Sequence, residues 1–133
     1  MNMITRRITN DRFPRATMPD LVTLRSSDPD EHTYPTLVCA GATIGAGCTI
    51  GNNLKIGRWA MVGMGSLVTR SVPDFHLSIG HPARSVGCVC RCGFLLTRFP
   101  SEGPANFSEL TCRECGLKYA VKDGVVIELN LSN

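Results

Sequence analysis

Residues 38–73 read VCAGAT IGAGCT IGNNLK IGRWAM VGMGSL VTRSVP, six blocks of six in a single register. The first position of each block is Val38, Ile44, Ile50, Ile56, Val62 or Val68, always a β-branched aliphatic. The second is glycine at Gly45, Gly51, Gly57 and Gly63, and the fifth is mostly small: Ala42, Cys48, Leu54, Ala60, Ser66 and Val72. β-Branched side chains are stiff at χ1 and favour extended backbone, so one per block suits short strands that each turn one side chain inward. The neighbouring glycine is expected to supply the backbone freedom of a corner. Small fifth residues let adjacent faces approach. A period of six fits neither an amphipathic helix nor a simple alternating strand. Stacked coils satisfy it, because each strand then pairs with its equivalent above and below in parallel sheets with inward ladders. A glycine-rich loop or an ordinary sandwich has no reason to keep six blocks in register.

Outward from the repeat, residues 1–36 are polar and punctuated by Pro14, Pro19, Pro29 and Pro35, while residues 88–115 hold five of the seven cysteines. A chain of 133 residues suggests one domain, or a small domain with an appendage. Hydrophobic residues make up 43% and charged residues 19%, enough for a folded core, and a formal charge of +3 is too small to argue for a polyanion partner. No apolar run is long enough to span a bilayer, and the opening MNMITRRITNDRF lacks the apolar segment of a signal peptide. The expected setting is therefore cytoplasmic, with reduced thiols and no membrane partner.

The clustered cysteines point to a local metal site rather than a disulfide framework. The pattern is C-V-C-R-C-G at 88–93, then C-R-E-C-G at 112–116. A Cys-x-x-Cys-Gly turn puts two thiolates together, and a second pair completes a tetrahedral set. Cys90, Cys92, Cys112 and Cys115 are the expected ligands, because a glycine follows both Cys92 and Cys115, with Cys88 as the spare. KYAV, the turn K-D-G and VVIEL read as a hairpin, and FLLTRF at 94–99 as its third strand, which together make a zinc ribbon. Four closed thiolates imply a structural zinc that supplies folding free energy to the tail and leaves no open position for catalysis. Unmetallated buried cysteines are the plain alternative. Cys39 and Cys48 read as structural. The domains expected are 1–87, the repeat with a loop over 11–36, and 88–133, the tail.

Two further stretches resemble a known family. VTRSVPDFHLSIGHPARSVG, residues 68–87, is similar to the end of hexapeptide-repeat acetyltransferase helices, a V-P-D followed by G-N-P-A-R or G-N-P-A-K, with His81 in place of the usual asparagine. ITNDRFPRA at 8–16 and YPTLVCAGATIGAG at 34–47 resemble F-T-N-D-x-x-P-R and P-T-x-V-x-x-G-A-x-I-G. Those motifs belong to nucleotide-sugar 3-amino N-acetyltransferases, including enzymes that acetylate a UDP-linked 3-amino glucuronate. The resemblance covers most of the chain. It implies an all-β fold, a left-handed parallel β-helix, whose hand departs from the usual right-handed crossover. It also implies a homotrimer with coenzyme A between subunits. The activity implied is acetyl transfer from acetyl-CoA to a nucleotide-linked amino sugar in cell-surface polysaccharide (lipopolysaccharide) synthesis. Residue by residue, Asn10 would hold the reacting amine as the catalytic and substrate-binding group, with Asp11 beside it. Gly63, Gly65 and Ser66 would meet the pantetheine, and Arg84 the nucleotide end of the coenzyme. The sequence departs from the family in its start: relatives carry several more coils before T-N-D, whereas Met1 lies nine residues before Asn10. That suggests a shortened chain or a piece of a split gene, with a small and marginal parallel core.

Acetyl transfer needs a positioned thioester, a stabilised oxyanion and a neutral amine. A histidine base is common in such enzymes, but His32, His76 and His81 all lie outside the clean repeats. The alternative function is a non-catalytic remnant or assembly module. Nucleic-acid binding by the ribbon is disfavoured, because the tail lacks interleaved basic and aromatic residues. A β-helix metalloenzyme of the carbonic anhydrase kind would need histidines within the repeats.

Overall fold

The computed structural model of the chain describes residues 6–8 (backbone only), 35–103 and 105–129. The first strands are minimal: β1 (Arg6–Ile8), β2 (Leu37–Val38), β3 (Thr43–Ile44), β4 (Cys48–Ile50), β5 (Lys55–Ile56), β6 (Met61–Val62) and β7 (Leu67–Val68). Longer ones follow: β8 (His76–Gly80), β9 (Ala83–Val89), β10 (Leu95–Arg98), β11 (Phe107–Thr111), β12 (Lys118–Lys122) and β13 (Val125–Glu128). The described residues are all-β, with no helix and so none able to cross a membrane.

The repeat sets the register. Leu37 pairs with Lys55, Thr43 with Met61 and Thr49 with Leu67, all parallel and each eighteen residues on. Three blocks thus return the chain to its starting face. The last turn is two residues shorter, since Ile56 bridges Val72 and Met61 pairs with Leu77. β1 lies parallel to β4 on the opposite side from β7.

First-position side chains fill the interior. Ile44, Ile50, Ile56, Val62 and Val68 are at most 2% exposed, and Cys48, Ala60 and Val72 from the fifth position join them in one buried cluster. Burial of each aliphatic contributes about 1.5–3 kcal/mol. Cys48 Sγ also donates to the Gly63 carbonyl at 3.1 Å. Val38, 41% exposed on the edge strand β2, is the exception.

The glycines do a different job from the one expected. The corners lie at the fourth position, where Gly41, Gly47, Asn53, Trp59 and Gly65 have φ of 76°, 75°, 56°, 57° and 71°. The second-position glycines carry no left-handed φ. They are needed for space: a Cβ on Gly45 would stand 2.7 Å from the Met64 nitrogen and 2.9 Å from its Cα, in the next coil. Backbone of one coil rests directly on the glycine of another.

The stack ends in antiparallel strands. β8 pairs parallel with β6 on one side and antiparallel with β9 on the other, and β10 completes the order β10-β9-β8-β6-β3. FLLTRF therefore belongs to the coil's own sheet, and the third strand beside the tail hairpin is β11. The reason is the chain direction: β10 folds back on β9 at once through the Cys90–Phe94 turn, leaving β12 to find β11. The boundary expected at residue 87 falls inside β9. The β12–β13 turn is Asp123-Gly124 with φ of 51° and 80°, the two left-handed residues of a tight hairpin.

Two second-position glycines should respond oppositely to the same change. Gly45→Ala must displace backbone and should lose about 1–3 kcal/mol. At Gly51 the added Cβ meets only ordinary contacts, 3.5 Å from the Val68 oxygen. Gly51→Ala should be neutral or gain up to about 1 kcal/mol. Urea melts of both variants check this; equal losses would mean that space between coils is not what the glycines provide.

Candidate functional site

Two features stand out for their chemistry: an open glycine corner on the stack and a four-cysteine centre in the tail. The corner joins β6 to β7. Gly65 sits one coil above Gly47, both with left-handed φ, and a Cβ on Gly65 would meet nothing within 4 Å. Ser66 is 2% exposed, and its hydroxyl donates to the Gly63 carbonyl at 2.8 Å and accepts from the Gly80 amide at 3.2 Å. The Gly63 amide donates to Ser78 O at 3.0 Å and the Gly65 amide to Ala46 O at 2.9 Å. The amides of Gly63 and Gly65 expected to meet a ligand are thus already engaged between coils, as is the Ser66 hydroxyl. Among the described residues, the amides of Met64 and Ser66 have no such acceptor, and the Met64 side chain is 80% exposed. These two donors flank the bare Gly65 surface.

Arg84 reaches the same neighbourhood through the β8–β9 hairpin. It pairs with Ile79, whose Cγ2 lies where a Cβ on Gly63 would project. Its side chain is exposed and its Nη1 donates to the Ala83 carbonyl at 2.7 Å. Asn10, Asp11 and His32 lie outside the described residues.

His76 is removed from the list of bases. It is 3% exposed, with Nε2 2.6 Å from the Gly124 carbonyl and Nδ1 2.8 Å from Ser85 Oγ. A carbonyl only accepts, so Nε2 carries the proton and the neutral Nδ1 accepts from Ser85. Burial holds its pKa below the ordinary 6.5, against the pull of the Gly124 bond and Asp74. The ring, edge-on to Phe99 at 5.2 Å, pins the stack to the tail hairpin.

In the tail, the sulfurs of Cys90, Cys92, Cys112 and Cys115 lie within 4.8 Å of one another. Cys90 and Cys115 are 3.3 Å apart, Cys92 and Cys112 3.6 Å. Tetrahedral Zn–S bonds of ~2.3 Å place sulfurs about 3.8 Å apart, so the set fits a zinc-sized ion. Two similar turns build it. Cys90 N donates to Phe94 O and Gly93 N to Cys90 O; Cys112 N donates to Leu117 O and Gly116 N to Cys112 O. Gly93 and Gly116 are left-handed at 96° and 80°.

The thiols cannot all ionise unaided. Burial opposes ionisation of Cys112, but the amides of Cys115 and Glu114, together with hydrogen bonds from the Cys92 and Cys90 thiols, outweigh it and bring the thiol down to about 7. The Leu117 amide favours the Cys115 thiolate, yet the Cys90 sulfur, desolvation and the other sulfurs push it up to about 12. Four converging sulfurs with backbone amides aimed at Cys112 and Cys115 are a donor set that could hold a cation. Cys88 is apart from the set, buried among apolar side chains, and burial raises its thiol to about 11. Sequence reading missed Tyr119, which is fully buried, accepts from the Arg91 amide and leaves its hydroxyl proton for Cys90 Sγ at 3.1 Å. A tyrosine in the strand after a Cys-x-x-Cys-Gly turn was the available signal.

No family model matches the chain. The dTDP-3-amino-3,6-dideoxy-alpha-D-galactopyranose 3-N-acetyltransferase of Aneurinibacillus thermoaerophilus is 38% identical over 94 residues, 71% of this chain and 45% of that protein. The chain thus spans less than half the length of this relative. A galactoside acetyltransferase solved with coenzyme A is 26% identical over 43% of this chain and 28% of its own, with a TM-score of 0.42. An N-acyltransferase from Bacillus cereus, solved with dTDP and 3-hydroxybutyryl-CoA, is 23% identical over 65% of this chain and 48% of its own, with a TM-score of 0.47.

The His76 pin gives a pH test. The folded chain holds the imidazole neutral, whereas the unfolded chain binds a proton below the ordinary value of 6.5. Stability is therefore complete above that pH and falls as pH drops from 6.5 through the lowered folded value. Melting temperature followed from pH 8 to 5 should decline, and His76→Gln, less stable at neutral pH, should flatten the decline. An unchanged slope in the variant would assign the acid sensitivity elsewhere.

Proposed function

We propose that the chain carries a left-handed parallel β-helix and serves acetyl transfer from acetyl-CoA to the amino group of a nucleotide-linked sugar, in cell-surface polysaccharide synthesis. The observation that carries this reading is the 38% identity, over 94 residues, to an enzyme whose substrate is a dTDP-linked 3-amino sugar. The eighteen-residue parallel register is the geometry such a helix requires.

In this reading the coenzyme's pantetheine lies against the bare Gly65 corner. Its carbonyls accept from the Met64 and Ser66 amides, and the Arg84 guanidinium meets the phosphates. Asn10 holds the sugar amine by its side-chain amide, and Asp11 a sugar hydroxyl. The neutral amine attacks the thioester carbonyl, the tetrahedral oxyanion collapses, the C–S bond breaks and the coenzyme leaves as thiol with the amine's proton. With the coenzyme between subunits, the active species is a homotrimer. The four cysteines hold a structural zinc in a ribbon-like tail, which closes that centre to catalysis.

A second reading has one observation in its favour. Leu37 and Val38 on the edge strand β2 are 60% and 41% exposed, as in an assembly module that another chain completes. Incubation of the purified chain with acetyl-CoA and dTDP-3-amino-3,6-dideoxygalactose, followed by mass spectrometry, decides between them. The first reading expects acetylated nucleotide sugar and a trimer by sedimentation, with Asn10→Ala lowering turnover about 100-fold through loss of amine positioning. No product and no coenzyme A binding at trimer-forming concentrations would sink it.

A further inference from the structure

We infer that the metal state of the four-cysteine centre is transmitted to the Trp59 corner of the coil stack through Arg91. The inference rests on the zinc reading above and adds a mechanical consequence to it. Arg91 stands between two of the sulfur donors, Cys90 and Cys92, so a bound metal fixes its backbone from both sides. Its amide donates to Tyr119 Oη at 3.1 Å, the same hydroxyl that faces Cys90 Sγ. Its guanidinium carbon lies 4.9 Å from the centre of the Trp59 ring, and its Nη2 is 3.1 Å from Glu128, whose side chain is only 10% exposed. One side chain therefore joins the metal turn, the last tail strand and a coil corner.

The receiving end is unusual. Trp59 occupies a left-handed corner at φ 57°, and its ring lies where any side chain at Gly41 would have to go. A bulky residue in that conformation persists only where its surroundings hold it. Part of that hold is the cation over its face. Trp59 opens the run that leads, six residues on, to the Gly65 corner. Withdrawal of the metal unties the Cys90–Cys92 turn, takes the guanidinium off the indole and loosens this run. A metal with no part in chemistry thus influences the face the coenzyme is proposed to use.

Trp59 is the chain's single tryptophan, so its emission reports this corner without interference. The test uses the full chain, stripped with a chelator and refilled with zinc, or with cobalt as a thiolate-sensitive probe. Metal removal should shift Trp59 emission to the red and increase its quenching by acrylamide, and zinc should reverse both. Arg91→Met should bind one cobalt with the same thiolate absorption, yet lose most of the metal-dependent emission change; Arg91→Lys should recover part. Glu128→Gln, which leaves both cysteine turns and the aromatic packing in place, should give an intermediate response and keeps the test usable if Arg91→Met folds poorly. Cobalt binding with an unchanged Trp59 signal, or an equal response in Arg91→Met, would overturn the inference alone. Failure to bind cobalt would overturn the zinc reading and the inference together.

Discussion

The stack depends on the chain returning to the same face every eighteen residues. Local bonds close only single corners, as from Ala42 N to Cys39 O and Ala60 N to Gly57 O, while Thr43 N bonds to Ala60 O, Gly45 N to Val62 O, Thr49 N to Ser66 O and Gly51 N to Val68 O, all between turns. Each strand is two or three residues long and would be worthless alone. The ladders make it cooperative, because Ile44 over Val62, Ile50 over Val68 and Ile56 over Val72 fill the interior only if every corner turns by the same amount. A uniform corner means one backbone conformation at one position of the block, and that is the left-handed fourth residue. That the amides of Met64 and Ser66 have no backbone acceptor among the described residues follows from it, since a chain turning away from the sheet direction cannot offer every donor to its neighbours.

The shortened last turn explains how the stack ends. With two residues fewer between Met61 and Leu77, the chain reaches β8 early and turns back as β9 and β10, covering the sheet edge with antiparallel strands instead of leaving it open. Asp74 supports the exit: its carboxylate accepts from the Arg58 amide at 2.8 Å, and its backbone packs where Gly57 lacks a side chain. Ser66 and His76 then tie the new strands down, one to the Gly63 carbonyl and Gly80 amide, the other to Ser85 and to the tail turn at Gly124.

Much of this was legible in the sequence, and the failures have physical causes. The β-branched ladder was visible because interior packing leaves little choice at that position. The meeting of Cys90, Cys92, Cys112 and Cys115 was visible because each glycine turn holds its cysteines close together. The role of glycine was not, since composition cannot separate a glycine needed for φ from one needed for space. Gly45 serves the second need while Gly65 serves the first. Asn53 and Trp59 hid the true corner by breaking its composition without breaking its conformation. FLLTRF was readable as a strand, but alternation does not name a partner. The role of His76 depends on Gly124, forty-eight residues later, which no local pattern encodes.

The corners of the stack are chemically unequal, and the inequality has a direction. Where Gly47 and Gly65 stack, a Cβ on Gly65 would meet nothing within 4 Å, and the amides of Met64 and Ser66 on either side have no backbone acceptor among the described residues. Where Gly41, Trp59 and Phe75 stack, two bulky side chains take φ of 57° and 63°, a conformation that costs roughly 1–2 kcal/mol per residue relative to ordinary backbone. Glycine or asparagine would turn those corners with less strain, so the turn itself does not call for aromatics. Their use is at the joint with the tail: Phe75 is 1% exposed with its ring 5.3 Å from Tyr119, and Trp59 packs against the same buried cluster under Arg91. Burying an aromatic of this size recovers more than the strain. The tail is therefore joined to the stack at this corner and, one residue on, through His76 and Gly124, while the Gly65 corner stays clear.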